Sequence, residues 1–259
     1  ELDLIQPLDM SRLPNYAPDS YIGRFTEPGT IDGTVYAVPK NWGTTGFAVN
    51  RDRVKSEPKS WKDFFDLAKT DASGHAIVHD YQLTTIGSAL VALGYSFNSI
   101  DPKELDAAEK LLLDVKPHLF AITSDYQPAM RSGDAWLTIC WSGDGLQLNR
   151  DMPEIDYVLG ADGGEIWSDF YAIPTSAPHA DAAYALINYL LDPQVNAREA
   201  QAHGYPVPDR RTIELLPDEI AENPIVYPAQ EDLEPLEFGA AATLTSERRA
   251  ELIARFKSA

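Results

Sequence analysis

An α/β fold is what this chain predicts, and three observations carry that reading. Short apolar runs rich in β-branched and aromatic residues alternate with segments of helical periodicity. Strong helix-start signatures separate the two kinds of segment: Ser60-Trp61-Lys62-Asp63, Asp101-Pro102-Lys103-Glu104 and Asp192-Pro193. No flexible linker interrupts the 259 residues, so two lobes would have to exchange chain inside strands, at a hinge. Strands alternating with helices imply mainly parallel sheets.

In order, Asp32-Gly33 is a turn before a strand at Thr34–Pro39, and Thr45–Asn50 is a second strand. Ser60 opens a short helix through Ala68. His75–His79 is a short β run, followed by a helix from about Thr84 to Leu93 that Gly94 stops. Asp101 caps a helix to about Asp114 with Leu105, Ala108, Leu111 and Leu112 on one face. Leu119–Thr123 is a strand and Gln127–Arg131 a short helix. Strands follow at Trp136–Trp141 and near Tyr157–Leu159, and a third ends at Tyr171–Pro174. Ala180–Leu191 and Pro193–His203 are helices divided by Asp192, and Ser246–Lys257 is the last helix.

Composition narrows the function. A hydrophobic share of 44% and a charged share of 24% are ordinary for a globular protein. A net charge of −19 argues against nucleic acid and anionic membranes, which need basic patches. The lone Cys140 forms no internal disulfide and lies in an apolar run, as an inert buried thiol does. No apolar stretch is long enough to span a bilayer. The chain opens at Glu1 in mid-pattern, without an initiator methionine, as a mature or trimmed product would. His75, His79, His118, His179 and His203 lack metal-ligand spacing, and no P-loop, HExxH or Gly-x-Ser-x-Gly elbow occurs. Neither metal nor cofactor is expected.

Two tryptophan-aspartate pairs carry the chemistry. Trp141-Ser142-Gly143-Asp144 leaves an apolar strand, and Trp167-Ser168-Asp169 enters one. Such junctions are where α/β proteins place ligands. An indole face beside a carboxylate suits a protonated amine, because the ring attracts the cation and the carboxylate accepts its N–H groups. Capping aspartates and core tryptophans look the same in sequence. For Trp136, deep in its strand, the core role is the better reading. Trp42 is evenly divided between ligand contact and packing, whereas Tyr205 sits in a Gly–Pro loop that favours ligand contact.

The whole set of motifs resembles the periplasmic spermidine/putrescine-binding proteins, the receptors of polyamine ABC importers. It includes Leu4-Ile5-Gln6-Pro7-Leu8-Asp9, Ala37-Val38-Pro39 with Trp42-Gly43-Thr44-Thr45, Ala92-Leu93-Gly94-Tyr95-Ser96 and Asp101-Pro102-Lys103-Glu104. It continues through Trp141-Ser142-Gly143-Asp144, Trp167 to Pro174, Leu186 to Pro193 and Gly204-Tyr205-Pro206. The resemblance implies a two-lobed type II periplasmic-binding-protein fold, with lobes joined by crossing strands and a ligand cleft. It implies one lobe from 1–45 plus 169–213 and another from 46–168 plus 214–259. The family's first lobe begins roughly 60 residues earlier, with two more βα units, so the first lobe is read as incomplete.

The same resemblance assigns Trp141 as a stacking tryptophan, Asp144 and Asp169 as amine-binding acids, Trp167 as an aromatic wall and Tyr205 as a cleft tyrosine. Where the family carries a ligand-binding acid, this chain aligns Thr84, preceded by Tyr81 and Gln82. A hydroxyl cannot neutralise a distal ammonium. That substitution points to a ligand whose far end is neutral or carboxylate-bearing, whereas the resemblance as a whole implies a non-enzymatic, monomeric periplasmic receptor for a polyamine, exported by a signal and delivering to a membrane permease. The alternative is a zwitterion such as γ-aminobutyrate or an opine-like compound. A carboxylate-based hydrolase is a remote third reading, since paired acids also serve glycosidases.

Overall fold

The computed structural model describes residues 4–258, so Glu1-Leu2-Asp3 of the opening pattern lie outside it. The chain divides into two compact units, Glu1–Gly43 with Ser168–Tyr227 and Thr44–Trp167 with Pro228–Ala259. Elements are numbered in chain order. The first passage between units falls inside strand β3 (Ala37–Asn50), the second inside strand β8 (Gly164–Ala172). The third falls after Tyr227, downstream of the expected 213. The cause is local packing: Val226 is buried, and Tyr227 meets Trp42 edge-on at 6.1 Å and accepts the Val207 amide at 3.1 Å.

In the first unit, 3-10 turns lead to a small hairpin of β1 (Thr30–Ile31) and β2 (Thr34–Val35), closed by Asp32 and Gly33 at positive φ. The strand expected at Thr34–Pro39 is thus split between β2 and the start of β3. Its continuation and the expected Thr45–Asn50 strand are one 14-residue strand, kept extended by the buried, β-branched Thr44 and Thr45. Val38 of β3 and Ile173 pack with Leu8, Leu13 and the buried face of α6 (Ala180–Leu190), namely Tyr184 and Ile187, and with Leu191. Asp192 caps α7 (Pro193–His203) through the Gln194 and Val195 amides at 2.9 and 3.3 Å. Gly204, in the left-handed region at φ 77°, ends it. The short helices α8 (Arg210–Ile213) and α9 (Asp218–Ala221) complete this unit.

The second unit carries α1 (Trp61–Lys69), β4 (Ala76–Val78), α2 (Gln82–Ala92), α3 (Pro102–Val115), β5 (Leu119–Ile122) and α4 (Gln127–Ser132). Then come β6 (Leu137–Trp141), α5 (Ser142–Asp151) and β7 (Ile155–Val158). After the last crossing follow α10 (Gln230–Leu233), β9 (Leu236–Glu237), α11 (Ala241–Leu244) and α12 (Glu247–Ser258). The sheet is mixed, which corrects the expectation of mainly parallel pairing. β4 runs parallel to β5 and β6, and β8 to β9, but β3 pairs antiparallel with both β6 and β7.

Side-chain alternation explains why both faces of this sheet are covered. Phe47, Val49, Ala76, Val78, Leu137 and Ile139 face a core with Trp61 of α1 and Leu252 of α12. Ala48, Ile77 and Cys140 face the opposite one, with Tyr126, Met130 and Leu148. Ser60 and Asp63 form the expected capping box, and Asp101 caps α3. Helix α5 was not expected, because Gly143 and Gly145 lower its propensity. Packing requires Gly145: a Cβ there would lie 2.5 Å from the Tyr157 ring, so tertiary fit overrides propensity.

Candidate functional site

In the second unit, strand β6 ends at Trp141 and α5 begins at the next residue. Tyr126, fully buried, binds the two together: its hydroxyl donates to Asp144 Oδ2 at 2.7 Å and accepts the Trp141 amide at 3.1 Å. Asp144 stands in the first turn of α5, where the positive end of the helix dipole favours a carboxylate. Burial above all, then Cys140 and Asp144 nearby, push the Tyr126 pKa up, so the hydroxyl stays a neutral donor.

Other rings surround the half-buried Trp141: His79 at 4.7 Å, Tyr126 at 6.0 Å and Tyr81 at 6.4 Å, the last inclined by only 24°. His79 Nε2 lies 3.1 Å from the Ile139 carbonyl, which assigns the ring proton to Nε2. Its Nδ1 is buried without a hydrogen-bond partner among the described residues. Burial pulls the His79 pKa down to about 4, so the ring is neutral near pH 7. The result is an uncharged, π-rich wall that attracts a cation rather than repelling it.

Thr84 is buried in α2, with Oγ1 2.6 Å from the Tyr81 hydroxyl and 3.2 Å from Glu165 Oε2. Thr45 Oγ1 donates to the same carboxylate oxygen at 2.6 Å. Glu165 is only 4% exposed, and burial raises its pKa against the opposing hydroxyls and the positive charge of Arg249. Sequence reasoning missed Glu165. Its signal was strand alternation, which puts 165 and 167 on one side of β8. Trp167 is half-buried on that strand.

The first unit carries the remaining candidates. Asp169 is exposed on β8 and accepts one hydrogen bond, from Asn41 Nδ2 at 3.3 Å. Asn41 is itself buried, and its Oδ1 has no hydrogen-bond partner among the described residues. The Trp42 amide donates to the Pro206 carbonyl at 2.9 Å, which holds the Gly204-Tyr205-Pro206 loop beside β3. Tyr205 is half-buried, and its amide donates to His203 Nδ1 at 2.9 Å. Trp42 is 2% exposed and stacks on Phe25 at 4.5 Å, so of its two expected roles the geometry matches packing. Among the described residues, no group of three or more His, Cys, Asp or Glu is placed to hold a metal ion.

Residues 1–228 match the family model described as bacterial extracellular solute-binding protein. The chain is 34% identical over 253 residues to the spermidine/putrescine-binding periplasmic protein of Escherichia coli K12, covering 94% of this chain and 70% of that one. It is 30% identical over 251 residues to the putrescine/agmatine-binding protein of Pseudomonas aeruginosa PAO1, covering 90% and 68%. Among solved structures, the spermidine/putrescine ABC transporter substrate-binding protein PotD of Streptococcus pneumoniae superposes with a TM-score of 0.84 at 28% identity. That match covers 99% of this chain and 78% of that one. The α/β fold is that of the type II periplasmic binding proteins.

Proposed function

The chain belongs to the bacterial extracellular solute-binding proteins, and from that premise we propose that it is the receptor of an ABC importer that captures a polyamine of putrescine or spermidine type. It acts by binding, without catalysis, in the periplasm, and hands its ligand to a membrane permease. The relatives' ligands support this reading.

One observation carries the reading: the neutral aromatic wall of Trp141, Tyr81, His79 and Tyr126 is joined by a hydrogen bond to the Asp144 carboxylate. A protonated amine placed there gains ring attraction and a charge-assisted hydrogen bond together. In this proposal Trp141, Asp144, Trp167, Tyr81 and Thr84 form one contact set, and Asp169 and Tyr205 form a second. Trp42 supports the second set from behind. A zwitterionic ligand is the second reading, favoured by the neutral hydroxyl of Thr84 where an acid would suit a second ammonium.

Calorimetric titration with putrescine tests the first reading. Asp169→Asn is expected to weaken binding by on the order of 0.2–1 kcal/mol, the usual worth of an exposed ion pair. Unchanged affinity removes Asp169 from the site. A thermal-shift screen over diamines, polyamines, amino acids and sugars separates the readings, and stabilisation by sugars or amino acids alone overturns the polyamine assignment.

A further inference from the structure

We propose that Glu165 is the carboxylate that receives the second ammonium of a diamine, so that the protein selects diamines over monoamines and ω-amino acids. This deepens the amine-binding reading and rests on it. A buried carboxylate is ordinarily paired with a cation, because leaving it uncompensated in a low dielectric is costly. Glu165 is not so paired. Its two hydrogen bonds come from the neutral hydroxyls of Thr45 and Thr84, at 2.6 and 3.2 Å, and both fall on Oε2. Oε1 takes no hydrogen bond among the described residues.

Arg249, fully buried on α12, influences Glu165 only through space. Its Nη2 donates to the Phe97 carbonyl at 3.2 Å, and its Nε and Nη1 have no hydrogen-bond partner among the described residues. The carboxylate is thus oriented by hydroxyls yet not neutralised by a direct ion pair. That arrangement suits an acceptor awaiting a cation better than a structural salt bridge.

Position supports the same conclusion. The Thr84 hydroxyl has one proton, which it shares between the Tyr81 hydroxyl at 2.6 Å and Glu165 Oε2 at 3.2 Å. Tyr81 in turn stacks towards Trp141. The aromatic wall therefore has a carboxylate linked to each side, Asp144 through Tyr126 and Glu165 through Thr84 and Tyr81. Thr84 alone offers only a dipole; with Glu165 behind it, that end of the wall becomes anionic. A molecule with two ammonium groups satisfies both ends, a monoamine satisfies one, and the carboxylate of an ω-amino acid is repelled.

Calorimetry on the wild-type protein and Glu165→Gln, with putrescine, n-butylamine and γ-aminobutyrate, tests this. The variant is expected to lose on the order of 30-fold or more in putrescine affinity, the scale of a buried charge-pair truncation, while n-butylamine stays within about threefold. Putrescine affinity unchanged, or both amines weakened equally, overturns the proposal. Should melting scans show the variant unfolded, the wild-type protein supplies a second readout through proton release.

Burial favours the protonated form of Glu165 in the free protein, since it raises the carboxyl pKa. An arriving ammonium displaces that proton. The other titratable groups facing it are Tyr81, with a pKa near about 12, Arg249, near about 10, and Tyr157, pushed up by burial, and none titrates in the carboxylate range. Calorimetry in two buffers of different ionisation enthalpy should show more release with putrescine than with n-butylamine; equal release overturns the proposal. Wild-type protein that binds no amine at all sinks the receptor assignment itself, an outcome distinct from either of these.

Discussion

In the second unit each of Trp141, Tyr81, Thr84 and Asp144 is held by a named neighbour, through Tyr126, His79 or Glu165. In the first unit Asp169 stands exposed on its strand with one hydrogen bond of 3.3 Å, and Tyr205 sits in a loop. The contrast separates two ways of presenting charge to a ligand. A carboxylate fixed in a buried network loses little freedom when it binds. An exposed one must surrender its water and its rotamers at that moment. The second unit's carboxylates should therefore be the more selective ones.

The largest effect that would break this contrast is one of pH. The His79 pKa is about 4 in the folded protein against 6.5 for the unreacted group, so the unfolded chain takes up a proton first. Its contribution is complete above pH 6.5 and is lost as pH falls towards 4, by about 3 kcal/mol. Calorimetric melting of wild type and His79→Phe across that window should show the wild type losing more, and equal losses would mean that the wall is not sealed. Next, Tyr126→Phe removes a donor to a charged group and should destabilise the protein by about 1.5–3 kcal/mol in chemical denaturation. It should also weaken putrescine binding, because Asp144 loses the Tyr126 hydrogen bond. A variant with wild-type stability and affinity would deny the second unit its preorganised character.

The smallest effect sharpens the first unit's side. The indole Nε1 of Trp42 is buried without a partner, so Trp42→Phe removes an unsatisfied donor while leaving a small void beside Phe25. The two should nearly cancel, to within about 1 kcal/mol, with putrescine affinity unchanged on titration. A large loss of affinity at constant stability would return Trp42 to the ligand contacts.

Local chemistry was legible in the sequence where a few adjacent residues decide the outcome. The capping box at Ser60–Asp63, the Asp101 and Asp192 caps and the left-handed Gly94 all stand where their spacing placed them. Features set by distant residues were not. The antiparallel pairing of β3 depends on β6 and β7, far along the chain. Helix α5 depends on a tyrosine ring that only glycine admits, and the reach of the first unit to Tyr227 depends on an aromatic contact with Trp42. Glu165 reads in sequence as a polar strand residue beside two glycines. Only folding brings Thr45 and Thr84 to its carboxylate and gives it meaning.

The sole cysteine also has a practical consequence. Cys140 lies buried within β6, and burial pushes its thiol pKa up, so it resists maleimide chemistry at neutral pH. A reporter dye can therefore be attached through a single engineered surface thiol without first deleting the native one.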